Sequence, residues 1–103
     1  LRILLIDDEP LVGRVAMRHL TSAGAVVDLF ADPNDALARF AADPAAMDVV
    51  LTDFAMPTLD GVAVAERVRS LSPTTPVLLM TGFVEHEAME RAAAGTITAI
   101  LQK

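Results

Sequence analysis

Short, unbroken apolar runs alternate along the chain with longer amphipathic stretches. Ile3-Leu4-Leu5-Ile6 is apolar throughout and ends abruptly in Asp7-Asp8-Glu9. Such a run suits a strand buried on both faces, because a strand with one wet face would alternate. Pro10 stands where the first turn of a helix accepts proline, whose missing N–H has no partner there in any case. Leu11, Val12, Val15, Ala16 and Leu20 then follow helical spacing, and Gly24 stops that helix. Val26–Phe30 reads as a second strand. Asp32-Pro33-Asn34-Asp35 opens a helix with Ala36, Leu37, Phe40 and Ala41 on one face, closed by Asp43-Pro44. Residues 48–53 form a third strand and 54–61 a loop, and Val64, Val68 and Leu71 mark a third helix. Residues 76–80 make a fourth strand that ends at Thr81-Gly82. Residues 85–94 read as a short, alanine-rich helix ended by Gly95, and 96–101 as a fifth strand rich in β-branched side chains.

This alternation predicts one domain over residues 1–103, a parallel sheet with helices on both faces. Sheets of this kind bind ligands beyond the carboxyl ends of their strands, where the strand order reverses. Those ends hold Asp7, Asp8 and Glu9 after the first strand, Asp53 after the third, Thr81 after the fourth and Lys103 after the fifth. If the order is 2-1-3-4-5, Asp8 and Asp53 face each other across the reversal. Carboxylates brought together repel and raise one another's proton affinity, so an ionised cluster needs a cation. Hard oxygen donors, with no cysteine, favour Mg²⁺ over zinc. Lys103 adds a point charge suited to phosphate, and the Thr81 hydroxyl adds a donor. An aspartate beside a divalent cation can attack phosphorus. The residues alone therefore imply a metal-assisted phosphoryl site.

Each element also has a plain structural reading. Acids ahead of a helix are ordinary caps. Asp53 and Thr81-Gly82 are ordinary turn residues at strand ends. A terminal lysine by itself carries no information. The functional reading rests on all of them falling along one edge of one sheet. His19 and His86 sit on helices with no partner carboxylate implied and read as surface or boundary residues. The methionines read as packing.

Composition narrows the classes. The chain has 103 residues, 14 acidic against 8 basic, a net charge of −6 and 53% hydrophobic residues. That is one domain with a real core and far too apolar for disorder. The absence of cysteine excludes a disulfide framework, a thiolate metal site and a cysteine nucleophile, and fits a cytoplasmic setting. The acidic balance argues against nucleic acid as a partner. No apolar run approaches a membrane span, and there is no signal-peptide pattern. The chain starts at Leu1 without methionine, which suggests a processed chain or a piece of a longer one.

At these residues the sequence resembles a response-regulator receiver domain of two-component signalling. The motifs are Ile6-Asp7-Asp8-Glu9-Pro10, the segment from Leu51-Thr52-Asp53 through Phe54-Ala55-Met56-Pro57-Thr58-Leu59-Asp60-Gly61, Leu79-Met80-Thr81-Gly82, and Leu101-Gln102-Lys103. The resemblance implies a flavodoxin-like, doubly wound sheet of order 2-1-3-4-5, and it is the source of that order. It implies Asp53 as phosphoacceptor, taking a phosphoryl group from phosphohistidine on a histidine kinase or phosphotransfer domain. It implies Mg²⁺ on Asp8 directly, with Asp7 assisting through water, and on Asp53 and the backbone carbonyl of Ala55. Thr81 and Lys103 would turn toward the phosphoryl group and so switch the domain. Such a domain is not an enzyme; it promotes only its own phosphorylation and dephosphorylation.

The sequence departs from the family in places. An aromatic residue often precedes the lysine by three positions; here that place is Ile100, so an aromatic switch cannot operate there. The family's last helix is missing after Lys103, which would uncover one sheet face and favour a homodimer, or mark a receiver excised from a longer protein such as a hybrid histidine kinase. Phe83 is large and apolar and could restrict water attack on an acyl phosphate. Two rival functions stand beside this one. An Asp-nucleophile phosphatase commonly carries a second acid where this chain has Ala55. A pseudo-receiver would keep the fold as a non-phosphorylated interaction module.

Overall fold

The computed structural model describes residues 1–81 and 97–102. The helix expected over 85–94, His86, Phe83 and Lys103 lie outside the described residues. The described elements are β1 (Arg2–Ile6), α1 (Pro10–Ser22), β2 (Val26–Phe30), α2 (Pro33–Ala42), a 3₁₀ turn at Pro44–Ala46, β3 (Val49–Asp53), α3 (Gly61–Leu71), β4 (Val77–Thr81) and β5 (Ala99–Gln102). The strands pair in parallel in the order β2-β1-β3-β4-β5.

Local chemistry sets the helix ends. The Asp32 carboxylate accepts from the Asn34 N–H at 2.8 Å and starts α2, with Pro33 in its first turn. Asp60 accepts from the Ala63 N–H at 2.8 Å and starts α3. Gly24 has φ +100°, a left-handed conformation that a side chain would strain, and it turns the chain from α1 into β2.

Strand side chains alternate between the two faces of the sheet. Leu4, Ile6, Val50 and Val77 pack against Ala36, Leu37 and Phe40 of α2 and Val64, Ala65 and Val68 of α3, and nearly all are fully buried. Ile3, Leu5 and Leu51 point to the other face, against Ala16, Met17 and Leu20 of α1. The continuous apolar run of β1 thus feeds both cores.

The α1 surface differs from the expected one. Leu11 is 75% and Val15 51% exposed. Of the expected residues Ala16 and Leu20 do face inward, joined by Gly13 and Met17, which also follow helical spacing. The helix offers two apolar stripes, and the one containing Gly13 faces the sheet because glycine lets α1 approach Leu29 closely; a Cβ at Gly13 would lie 3.1 Å from the Leu29 Cδ1. Strand five also starts later than expected. Thr98 exchanges hydrogen bonds with Val77, its N–H donating to the Val77 carbonyl and its hydroxyl accepting the Val77 N–H, and regular pairing begins at Ala99.

Candidate functional site: an acidic cluster at the carboxyl edge

The chain adds β2 to one side of β1, then crosses over and adds β3 to the other. The carboxyl ends of β1 and β3 therefore meet at the reversal, the position where such sheets bind ligands. The residues at those ends are acidic. One carboxylate oxygen from each of Asp7, Asp8, Glu9 and Asp53 lies within 4.8 Å of all the others. Asp7 and Asp53 are buried at 1% and 2% exposure, Asp8 is half-buried and Glu9 is exposed. The backbone fixes this grouping. The Asp7 N–H donates to the Phe30 carbonyl at 3.0 Å, extending the β1–β2 ladder one step, and the Asp7 carboxylate accepts the Glu9 N–H at 3.0 Å.

The plain capping reading fails for these acids and holds for others. Glu9 occupies the cap position of α1, yet its side chain makes no capping hydrogen bond. Asp32 and Asp60 do cap their helices. The acids spent on caps are thus distinct from those gathered at the β1–β3 junction.

Two ionised carboxylates at this separation repel by about 3–4 kcal/mol at an effective dielectric of about 20. Asp8 Oδ1 is buried and has no hydrogen-bond partner among the described residues, which is costly for a polar atom in the absence of a ligand. An all-oxygen donor set with a buried, unpartnered oxygen fits a hard divalent cation such as Mg²⁺.

The other sequence-derived residues fall around this cluster. Thr81 is fully buried at the end of β4, one residue beyond Met80, the register partner of Asp53. Ala55 is exposed in the loop between β3 and α3, two residues after Asp53. That loop is tied down at both ends: Phe54 donates its N–H to the Met80 carbonyl and accepts the Gly61 N–H, each at 2.9 Å, while Met56 is buried in the α2–α3 core. Lys103 lies outside the described residues; the strand leading to it ends at Gln102, which pairs with Thr81. His19 is exposed, as expected. Sequence reasoning did not single out Gly13, Thr52 or Gly61. Gly13 would place a Cβ 3.5 Å from the Asp7 Cβ, the Thr52 hydroxyl donates to the Asp53 carbonyl at 3.0 Å, and Gly61 packs on the Asp53–Phe54 backbone. Gly61 entered the sequence reading only as the last residue of the Asp53 motif; its packing against Asp53 is a tertiary contact.

Comparison with known proteins agrees with this geometry. The family model for the response regulator receiver domain matches residues 3–103, and the chain belongs to that family of two-component signalling domains. The transcriptional regulatory protein QseB of Haemophilus influenzae is 38% identical over 81 residues, covering 79% of this chain and 36% of that protein. The curated relatives are much longer, the matched segment being 11 to 36% of their length. A response regulator receiver domain protein from Clostridium thermocellum superposes with a TM-score of 0.92 at 26% identity, covering 99% of this chain and 81% of that one. The response regulator TrrA of Thermotoga maritima, solved in complex with Mg²⁺-BeF, superposes with a TM-score of 0.87 at 25% identity, over 99% of this chain and 85% of its own. The sheet is the flavodoxin-like one the resemblance implied. Among the described residues, no helix is long and apolar enough to cross a membrane.

Proposed function

We propose that this domain accepts a phosphoryl group on Asp53 from a phosphohistidine of a histidine kinase or phosphotransfer domain. The observation that carries the reading is the convergence of Asp7, Asp8, Glu9 and Asp53 within 4.8 Å at the reversal of the sheet. The similarity to TrrA, which was solved with Mg²⁺-BeF, supports it.

Asp7, Asp8, Asp53 and the Ala55 carbonyl would hold Mg²⁺, with Asp7 acting through water. Bound there, the ion would supply charge neutralisation for the carboxylates and for the phosphoryl oxygens. Asp53 carries the chemistry. One carboxylate oxygen attacks phosphorus, a P–O bond forms and the P–N bond to the histidine breaks. The imidazole nitrogen leaves with the bonding pair and takes a proton from water. Burial of Asp53 keeps bulk water from competing for the acyl phosphate. The new phosphoryl group places charge beside Thr81, whose hydroxyl sits at the adjacent strand end and can donate to it. Lys103, next after Gln102 in sequence, supplies the compensating cation in this proposal. Movement of Thr81 and Lys103 toward the phosphoryl group is the proposed switch.

Acetyl phosphate with Mg²⁺ tests the reading. The wild-type domain should gain a single acid-stable, base-labile phosphoryl group, and Asp53→Asn should gain none. Label on Asp53→Asn at the wild-type level would overturn the assignment. Multiple turnover of an aryl phosphate would favour the phosphatase instead, and failure to bind Mg²⁺ at millimolar concentration would favour a pseudo-receiver.

A further inference from the structure

We infer that Gly61 is a positioning residue for the phosphoacceptor: with no side chain, it lets the start of α3 rest on the Asp53–Phe54 peptide and so sets where the Asp53 carboxylate stands. The inference rests on the phosphoacceptor reading of Asp53 and adds a second residue to it.

The geometry is specific. Gly61 is buried at the first position of α3. A Cβ built on it would lie 2.7 Å from the Asp53 carbonyl oxygen and 3.0 Å from the Phe54 Cα, and would also strike the Leu79 Cδ2. The Leu79 methyl belongs to a side chain that can rotate, whereas the first two atoms are backbone and cannot. Ordinary contact begins near 3.4 Å, so the Asp53 carbonyl would have to retreat by 3.4 − 2.7, or about 0.7 Å. The Gly61 N–H meanwhile binds the Phe54 carbonyl at 2.9 Å, tying α3 to the same short stretch of backbone. The Asp53 carbonyl also accepts the Thr52 hydroxyl at 3.0 Å. Residues on both sides of the loop thus converge on the peptide that leaves the phosphoacceptor.

Conformation does not demand glycine here, since among the described residues Gly24 alone has a positive φ. Helix propensity gives no reason for it either, glycine being a poorer helix former than alanine. What remains is space, and the space adjoins Asp53. A retreat of the Asp53 carbonyl turns the backbone that carries its carboxylate, and misplacement of a reacting group by about 1 Å can reduce rates by about a hundredfold.

The test is the rate of phosphorylation by acetyl phosphate at saturating Mg²⁺, normalised to the folded fraction measured by circular dichroism. Gly61→Ala should lower the maximal rate by about tenfold or more. Adding Leu79→Val shortens the side chain that the new methyl strikes. It should recover stability but leave the rate low, because the backbone conflict persists. A Gly61→Ala rate within twofold of wild type, or full recovery of the rate on adding Leu79→Val, would overturn the inference. If Gly61→Ala alone does not fold, the Gly61→Ala/Leu79→Val pair decides: a rate about tenfold or more below wild type supports the positioning role, and a rate within twofold of wild type overturns it. Absence of label on the wild-type domain would instead overturn the phosphoacceptor reading, and the inference with it.

Discussion

The two edges of the sheet differ in how their acidic residues are grouped. At the amino edge two acids, Asp28 and Asp48, are matched with Arg2. Asp48 accepts the Arg2 N–H at 2.7 Å, and Asp28 pairs with the Arg2 guanidinium at 3.3 Å. The hydroxyls of Ser72 and Thr75 bond each other at 2.7 Å, and Arg69 donates to the Pro73 carbonyl at 2.6 Å. At the carboxyl edge, acids are set against acids, and Asp7 and Asp53 are withdrawn from water as well. Burial and like charge each disfavour the ionised form of a carboxylate. The amino-edge acids thus meet donors of Arg2, while the carboxyl-edge acids meet one another.

The largest expected effect falls on the chemistry of the carboxyl edge. Asp53→Asn should reduce phosphorylation by acetyl phosphate by at least about a hundredfold, or about 2.7 kcal/mol, as followed by label incorporation. Next is metal affinity. Asp8→Asn should weaken Mg²⁺ binding by about tenfold or more, about 1.4 kcal/mol, measured by calorimetric titration. An unchanged affinity would remove Asp8 from the metal site and weaken the contrast between the edges.

The contrast also predicts a stabilising substitution. Without Mg²⁺, Asp53→Asn relieves repulsion in the cluster and should raise stability by about 1 kcal/mol, or about 4–8 °C in melting temperature for a domain this small. Saturating Mg²⁺ should reverse the order, because at about a hundred times its dissociation constant a ligand adds about 2.7 kcal/mol to the form that binds it. Thermal melts with and without Mg²⁺ check both signs. The smallest effect belongs to the amino edge. Arg2 and Asp28 are 42% and 27% exposed, and Arg2→Ala should change stability by no more than about 0.5 kcal/mol, as read from a urea midpoint. A loss several times larger would show that the Arg2 pairing contributes far more than an exposed ion pair does.

Much of this contrast was legible in the sequence because it depends on short-range patterns. Val26–Phe30 stands out as five consecutive strand residues, and Asp32-Pro33 opens α2 as written. The acids at the ends of β1 and β3 follow directly from where the apolar runs stop. The order of the strands came from family resemblance, since alternation alone does not say which strands are neighbours. What stayed hidden was tertiary. Helical spacing named Ala16 and Leu20 together with Leu11 and Val15 and could not say which of them turn inward; close approach of Gly13 to Leu29 does. Thr98 reads as strand from its branched side chain, but its hydroxyl takes the Val77 N–H and delays the start of β5. The roles of Thr52 and Gly61 arise from contact with the Asp53 backbone, which no local pattern encodes.

The central claim is that the buried aspartate at the end of β3, among the clustered acids, is the one that becomes phosphorylated. Borohydride reduces an acyl phosphate of aspartate to homoserine, and peptide mass spectrometry then locates the converted residue. After incubation with acetyl phosphate and Mg²⁺, the account predicts homoserine at position 53 and at no other acid. Conversion at Asp7 or Asp8 in its place, or no conversion while a phosphoryl group is demonstrably attached, would contradict it.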